Sequence, residues 1–280
     1  MNYRMISSRQ NPLVKELCSL TEKKKRRELS AFRFDGGKLL GEAIDARIEL
    51  LYIVLREDAA QEYSALAARA EKCGIIENDN IICVTAEVFA KLSEEKAPEG
   101  VITVARISER FCASMSACEL ARTLGDGERI LLAESLRDPG NLGTVMRSCA
   151  ALGIDRLILS DDCADLYSSR TVRAAMGALF RQRTVLVPRE ELAQAIRLLR
   201  QSGRRIYAAA LHRDALTVGS FALGRGDGFV IGNEGHGLSD GTVEACTACA
   251  VIPMAEGSES LNAAAAAAIC IWETVRATDR

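Results

Sequence analysis

The sequence predicts an α/β protein in which a smaller α/β domain precedes a larger domain with a mostly parallel sheet covered by helices on both faces. Short apolar segments alternate with helical patterns in both halves of the chain, as expected for strands joined by helices. The alternation stops between residues 107 and 128. Because 280 residues allow one large domain or two ordinary ones, this interruption is taken as the domain boundary.

The first hundred residues predict the smaller α/β domain. Ser7 or Ser8 can cap a helix over residues 7–29, because serine oxygens accept hydrogen bonds from the first helical turn, and Pro12 suits that turn. The pair Gly36-Gly37 ends a short strand. The predicted strands are 32–34, 50–55, 81–84 and 101–105. After the helix over 7–29, further helices are predicted over 38–46, 59–72 and 85–92.

Residues 107–128 are predicted to connect the domains. The segment is rich in small and polar residues and ends in Gly125-Asp126-Gly127, which is typical of a turn. The predicted organisation is a small domain over residues 1–106, a partly helical linker over 107–128 and a larger domain over 129–280.

The second half ends in an unusual helix. Ser260-Leu261-Asn262 precedes six alanines, Ala263 to Ala268, and Ser and Asn are typical of helix starts. By itself this pattern predicts a capped core helix, against which a backbone, a partner subunit or a flat ligand can pack closely. The elements before it are predicted as strands over 129–133, 156–159, 183–187, 205–210, 228–231 and 251–252 and helices over 142–152, 169–178 and 189–201.

Composition limits the class of protein. Hydrophobic residues make up 48% and charged residues 26%, as in a soluble globular protein, and no apolar run is long enough to cross a membrane. The N-terminal residues lack the apolar core of a secretory signal, and most of the ten cysteines lie in apolar segments. We therefore expect a cytoplasmic protein with reduced thiols. Cys246 and Cys249 form one CxxC without a matching second pair, so no metal site is expected.

Positive charge is concentrated at the N-terminus. The net charge is −2, but residues 1–33 contain nine Lys or Arg and three Asp or Glu, which is +6 and leaves −8 for the rest. A basic arm on an acidic body is typical of nucleic-acid contact, although a solvated helix face explains the basic run equally well. The candidate RNA contacts are Arg9, Lys23, Lys24, Lys25, Arg26 and Arg27.

Three loops at predicted strand ends have unusual compositions, and ligands of open parallel sheets bind beyond the carboxyl ends of the strands. The first loop contains Asp138-Pro139-Gly140-Asn141, in which Asn141 can cap a helix that carries Arg147. The second, Gly232 to Gly237, has three glycines around Glu234, and a plain tight turn is the alternative. The third is the start of the alanine helix. Neither GxxxxGK[ST] nor an early GxGxxG is present, which disfavours ATP and dinucleotide sites.

Together the loops resemble one family. The ordered motifs N-x-G-x-x-x-R, I-G-N-E-G-x-G-L and I-P-M followed by S-L-N and an alanine-rich helix are similar to those of the SPOUT RNA methyltransferases of the SpoU/TrmH type, over about residues 129–275. The segment Ala175 to Phe180 also resembles this family. The first hundred residues resemble the ribosomal-protein-like domain that binds substrate RNA, except that Asp35 stands where Glu is frequent. The uninterrupted alanines are a second departure, because Val and Ser are frequent in that helix.

The resemblance implies a C-terminal trefoil knot, which makes a pocket for S-adenosylmethionine, and methyl transfer to a ribose 2′-hydroxyl without a metal. Arg147 is expected to clamp a phosphate, since a guanidinium group hardly loses a proton. By motif position the catalytic residues are Asn141, Arg147, Glu234, Ser260 and Asn262. The residues expected to bind the cofactor are Leu211, Gly232, Asn233, Gly235, Ile252, Met254 and Leu261.

The resemblance also implies partners. Members of the family are homodimers, and the alanine helix with its Trp272 is a candidate interface. The front domain favours ribosomal RNA over transfer RNA as the substrate. Two other classes stay open, namely an inactive RNA-binding or assembly protein on the same fold and a nucleotide-dependent oxidoreductase on a doubly wound sheet.

Overall fold

The computed structural model describes residues 3–212, 214–257 and 260–278. Two compact units are present. The first comprises the chain up to Ser108 together with Tyr167–Phe180, and the second comprises Glu109–Leu166 and the chain from Arg181 onward. Both units are α/β, as the sequence predicts.

The elements up to residue 108 are β1 (Arg4–Ile6), α1 (Pro12–Ser19), α2 (Lys23–Leu29), β2 (Ala31–Asp35), α3 (Gly37–Asp45), β3 (Leu50–Arg56), α4 (Ala60–Lys72), β4 (Ile81–Val84), α5 (Ala86–Leu92) and β5 (Val101–Arg106). The elements that follow are β6 (Cys112–Ser114), α6 (Ala117–Thr123), β7 (Ile130–Ala133), α7 (Pro139–Leu152), β8 (Arg156–Ser160), α8 (Ser169–Ala175), β9 (Thr184–Val187), α9 (Leu192–Gln201), β10 (Ile206–Ala209), β11 (Leu216–Thr217), β12 (Gly228–Ile231), α10 (Asp240–Ala245), β13 (Ala248–Val251) and α11 (Ala263–Thr278).

The first unit contains a five-stranded sheet in the order β1-β4-β3-β5-β2. β1, β4 and β3 are parallel, whereas β5 is antiparallel to both β3 and β2. One apolar cluster lies between this sheet and helices α1 and α5, with Leu17, Phe89 and Val104 among its members. The predicted strands of this half are confirmed, and β1 is an additional strand that the sequence did not reveal.

The single helix predicted over residues 7–29 is wrong. The structure has two helices, α1 and α2, separated by Leu20–Glu22. The buried guanidinium group of Arg26 donates hydrogen bonds to the carbonyls of Leu20 and Thr21, both at 2.7 Å. These carbonyls would otherwise accept helical N–H groups, so the arginine stabilises the break. Asn11 caps α1 through its side chain, in the place expected for Ser7 or Ser8.

Two segments of the second half also differ from the predicted elements. The helix expected over residues 169–178 ends at Ala175, because Met176 and Gly177 adopt left-handed backbone conformations with φ of 48° and 84°. Within 107–128, Cys112–Ser114 pairs with β9, and α6 begins with a capping box formed by Ser116 and Glu119. This part of the predicted linker is therefore ordered in the second unit.

The second unit is organised around a sheet whose described strands run β11-β13-β10-β12-β7-β8-β9-β6, with every pairing parallel. This confirms the predicted parallel sheet. Its core includes Leu132, Ile158 and Val230 from the strands and Ile196 and Leu199 from α9. The trefoil knot stays a prediction. In the described ranges, no helix combines the length and apolarity needed to span a membrane.

Candidate active site

The sheet register brings four strand ends together. Ala133 of β7 pairs with Ile231 of β12, Ile231 pairs with Ala209 of β10, and Ala209 pairs with Ala250 of β13. Because these strands are parallel, the loops that follow them leave the same edge of the sheet side by side. Three of these loops contain the motifs singled out in the sequence.

A cavity of about 600 Å³ opens at this edge, within the usual range for ligand sites. It is lined by apolar side chains, among them Ile231, Leu238 and Val243, and by the glycine loop, residues 232–237. All residues expected to bind the cofactor line it, namely Leu211, Gly232, Asn233, Gly235, Ile252, Met254 and Leu261, together with Glu234 and Ser260. The structure shows that these residues line one cavity. Their roles in binding a cofactor stay predictions.

The sequence did not single out several residues of the cavity wall. His212, Asp240, Cys249 and Ala266 line it as well, along with His236. The position of α10 directly after the glycine loop could have indicated Asp240 and Val243. Nothing in the local sequence indicates His212 or Cys249, since their places depend on strand order.

The glycine loop is held by its own backbone and by Asn233. The N–H and carbonyl groups of Asn233 and Gly237 exchange hydrogen bonds of 2.9 and 3.0 Å. The Asn233 side-chain oxygen accepts the N–H groups of Gly235 and His236, and its Nδ2 donates to the Ser135 carbonyl at 2.8 Å. A Cβ at Gly232 would lie 2.4 Å from the carbonyl carbon of Gly237, so only glycine fits there. The loop is thus a tight turn that also forms part of the cavity wall.

Glu234 links the glycine loop to the first loop. Its carboxylate accepts the N–H groups of Arg137 and Asp138, both at 3.2 Å, and the side-chain amide of Asn141 at 3.0 Å. Partial burial by itself raises the pKa of Glu234, but these hydrogen bonds to the charged form outweigh it and hold the pKa below its usual value. Glu234 is therefore an ionised group with fixed orientation. No hydrogen bond or ion pair joins Glu234 to Arg147 among the described residues.

Asn141 and Asn262 connect the first loop to the alanine helix. Asn262 Nδ2 donates to Asn141 Oδ1 at 2.9 Å, while Asn262 Oδ1 accepts the N–H groups of Ala264 and Ala265. Asn262 therefore caps α11 and faces the site at the same time. The prediction that Asn141 caps α7 is wrong, because Asp138 is the capping residue and accepts the Asn141 N–H at 2.8 Å. This leaves the amide of Asn141 available to the site.

Arg147 lies on the exposed face of α7, six residues and somewhat less than two turns beyond Asn141, in the helix that the first loop begins. Its guanidinium group has no hydrogen-bond or ion-pair partner among the residues that the structure describes. An exposed arginine without an intramolecular partner is free to bind an anion.

Glu134 supports the site from behind and is not among the residues that the sequence predicts. Its buried carboxylate accepts the backbone N–H of Ser239 at 2.9 Å and the Ser239 hydroxyl at 2.7 Å. Ser239 in turn caps α10. The pair fixes the helix that follows the glycine loop to the end of β7. A carboxylate placed directly after an apolar strand is the signal that could have identified it.

The candidate RNA contacts on the first unit differ in burial and in their partners within the chain. Arg26 is buried by its hydrogen bonds to backbone carbonyls, so its guanidinium group serves the fold and is removed from the set of phosphate contacts. Lys25 pairs with Glu28 at 2.7 Å. The side chains that stay exposed are Arg9, Lys23, Lys24 and Arg27.

Comparisons with known proteins place this geometry in a family. The model of the SpoU rRNA Methylase family matches residues 128–272, and that of the MRM3-like substrate binding domain matches residues 11–103. The chain belongs to the SpoU rRNA methylase family. This membership confirms the resemblance that the three motifs indicate.

Similar members of the family cover nearly the whole chain. The 23S rRNA (guanosine(2553)-2′-O)-methyltransferase RlmP of Bacillus subtilis is 28% identical over 274 residues, which are 96% of this chain and 98% of that protein. The AdoMet-bound rRNA methyltransferase from Sinorhizobium meliloti has a TM-score of 0.82 with 28% identity, covering 98% of this chain and 97% of the other. The SpoU methyltransferase AviRb from Streptomyces viridochromogenes, in complex with AdoMet, has a TM-score of 0.80 with 26% identity, covering 95% and 98%.

Proposed function

We propose that this protein methylates a ribose 2′-hydroxyl of ribosomal RNA with S-adenosylmethionine as the methyl donor. The observation that carries the proposal is the chain of hydrogen bonds from Asn262 through Asn141 to Glu234 at the rim of the cavity. Names of similar proteins that specify 23S rRNA favour ribosomal over transfer RNA. We also propose a cytoplasmic location, which suits a protein that acts on ribosomal RNA.

The cavity suits the cofactor. Apolar side chains such as Ile231, Ile252 and Leu261 offer surfaces for a purine ring, and backbone groups of the glycine loop offer donors and acceptors beside them. When bound, the cofactor supplies a sulfonium-activated methyl group, so no metal is needed to activate it. The residues proposed to hold it are the seven expected from the sequence, from Leu211 to Leu261.

The catalytic contribution of the chain is orientation. Arg147, exposed and unpaired among the described residues, binds the phosphate beside the target ribose through its planar fork of donors. Glu234 keeps the Asn141 amide in one orientation, and Asn262 fixes its other end. Ser260 lies at the cavity wall, where its hydroxyl can contact the nucleotide. These groups align the reactive hydroxyl and exclude unproductive poses, which is where much of the rate enhancement of such sites arises.

A homodimer is part of the proposal. On α11, Ile269 and Trp272 are 38% and 54% exposed, and Ala265 is also exposed. Residues at this spacing share one face of a helix. An exposed apolar face next to α7, which carries Arg147 and packs against α11, is suited to a second copy of the chain.

The test is methyl transfer from labelled S-adenosylmethionine to ribosomal RNA, with 2′-O-methyl sites mapped afterwards. We expect Arg147→Ala to lower kcat/KM by about a hundredfold, because a charge-assisted phosphate contact is lost, and to leave the affinity for S-adenosylmethionine unchanged.

The matched control is Arg183→Ala, which removes an arginine that is 70% exposed at the start of β9, at the opposite end of the strands from the site. Wild-type protein that binds RNA but transfers no methyl group to ribosomal or transfer RNA would identify an RNA-binding protein instead of an enzyme. Methylation of transfer RNA but not ribosomal RNA would support the proposed reaction and contradict the proposed substrate.

A further inference from the structure

Asp162 holds two arginine side chains that the proposed mechanism does not use. It lies in the turn after β8, and its side chain is 20% exposed. Its carboxylate accepts the hydroxyl groups of Ser135 at 2.7 Å and Ser160 at 2.6 Å. It also pairs with Arg137 Nη2 at 2.7 Å and with Arg189 Nε at 3.3 Å. One well-anchored carboxylate thus sets the position of two guanidinium groups.

Each of these arginines is fixed at one end and open at the other. Arg189 Nε also donates to the Ser135 hydroxyl at 3.1 Å, and its backbone N–H donates to Asp161 at 3.1 Å. The Arg137 and Arg189 side chains are nevertheless 60% and 53% exposed. Neither Nη of Arg189 nor Nη1 of Arg137 has a hydrogen-bond partner in the part of the chain that the structure describes. These nitrogens are oriented donors that face solvent.

The pair lies beside the candidate active site. Arg137 directly precedes Asp138, and its backbone N–H donates to Glu234 at 3.2 Å. The hydroxyl of Ser135 contacts both Asp162 and Arg189. The backbone carbonyl of the same residue accepts a hydrogen bond from the side-chain amide of Asn233. With Asp162, the two arginines carry one net positive charge.

We infer that Arg137 and Arg189 form a second phosphate site, which binds an RNA backbone phosphate next to the nucleotide that is methylated. The inference rests on the proposed function, because it takes RNA as the substrate. Guanidinium groups match phosphate oxygens with paired N–H donors. Side chains that are already held in place lose less conformational entropy when a phosphate binds. Asp162 is then a positioning residue for the two arginines.

The experiment measures the affinity of fragmented ribosomal RNA as a function of salt for wild type, Arg137→Ala, Arg189→Ala and the control Arg183→Ala. We expect each of the first two variants to bind RNA several-fold more weakly and to reduce the slope of log affinity against log salt by about 0.7 to 1. Arg183→Ala should keep the wild-type slope. Calorimetric affinity for S-adenosylmethionine should be unchanged in all variants, which checks that the cavity is intact.

Asp162→Asn separates orientation from charge. The substitution removes a negative charge, so RNA affinity would rise if the arginines acted as unoriented charges. Loss of the carboxylate that holds them should instead lower RNA affinity several-fold. Tighter binding by Asp162→Asn, or salt slopes of Arg137→Ala and Arg189→Ala equal to that of Arg183→Ala, would overturn the inference.

The two proposals fail separately. If Arg137→Ala and Arg189→Ala reduce the salt slope but the wild type transfers no methyl group, the proposed enzymatic function is contradicted and the phosphate site is retained. Normal ribose methylation with unchanged salt slopes contradicts the phosphate site alone.

Discussion

At the scale of single residues, Glu234 is the point at which two loops converge. Three donors from the first loop reach its carboxylate, and all three favour the charged form. A glutamate in a glycine-rich turn is locally unremarkable, and its importance comes from the N–H groups that the neighbouring strand end directs toward it. Glu234 thus serves the site by holding Asn141 in one orientation.

We predict that Glu234→Gln lowers kcat by about ten- to hundredfold, because a neutral amide weakens charge-assisted hydrogen bonds and presents an NH₂ group to donors. Methyl-transfer kinetics measure the effect, and Glu244→Gln, an exposed position on α10, is the control. An unchanged kcat would show that Glu234 does not orient Asn141.

The same carboxylate gives a pH dependence with a defined sign. Because its folded-state pKa is lowered, its stabilising contribution is complete above the unfolded pKa of about 4 and is lost as the pH falls through the folded value. Wild type should therefore lose more stability than Glu234→Gln in thermal unfolding scans below about pH 4.

At the scale of elements, the residue that caps α11 also contacts the candidate active site. Asn262 caps the helix with its oxygen and contacts Asn141 with its nitrogen. The sequence alone favours the capping role, which is correct but incomplete, since the second contact depends on a residue 121 positions away.

Two substitutions of Asn262 separate these roles. Asn262→Asp keeps the capping oxygen and should retain thermal stability, but it loses the donor to Asn141 and should lower kcat by about tenfold. Asn262→Ala should lower both kcat and stability, the latter by about 1 kcal/mol, as for a lost cap. Thermal unfolding and methyl-transfer kinetics measure the two effects. Equal kcat for Asn262→Asp and wild type would assign the residue to capping alone.

At the scale of the whole molecule, the exposed apolar face of α11 bears on assembly. Trp272 and Ile269 lie one turn apart on a helix whose opposite face packs in the core through residues such as Cys270 and Ile271. An aromatic residue exposed on such a face is typical of the centre of an interface.

Trp272→Glu is therefore predicted to convert a dimer into monomers, because a charge would be buried without a partner in the interface. Light scattering coupled to size-exclusion chromatography measures the mass. The control is Met5→Glu, which places the same charge at an apolar residue that is 53% exposed on β1. A wild-type monomer, or a Trp272→Glu dimer, would contradict the assignment of this interface.

The sequence by itself determined the alternation of strands and helices, the parallel sheet and the three motif loops, because hydrophobic periodicity and turn residues are local properties. It indicated that helices begin near these turns but did not determine the capping residue of α7 or the break between α1 and α2, since these depend on where Asp138 and Arg26 direct their side chains.

Tertiary structure decided which of the predicted site residues contact one another. Asn141 and Glu234 are 93 positions apart, and strand pairing between β7 and β12 brings their loops together. The same pairing places Ser239 against Glu134. The pairing of β8 with β7 and with β9 brings Asp162 to Arg137 and Arg189. Local patterns identify chemically suited side chains, whereas contacts between distant loops follow from the order of strands in the sheet, which no local pattern encodes.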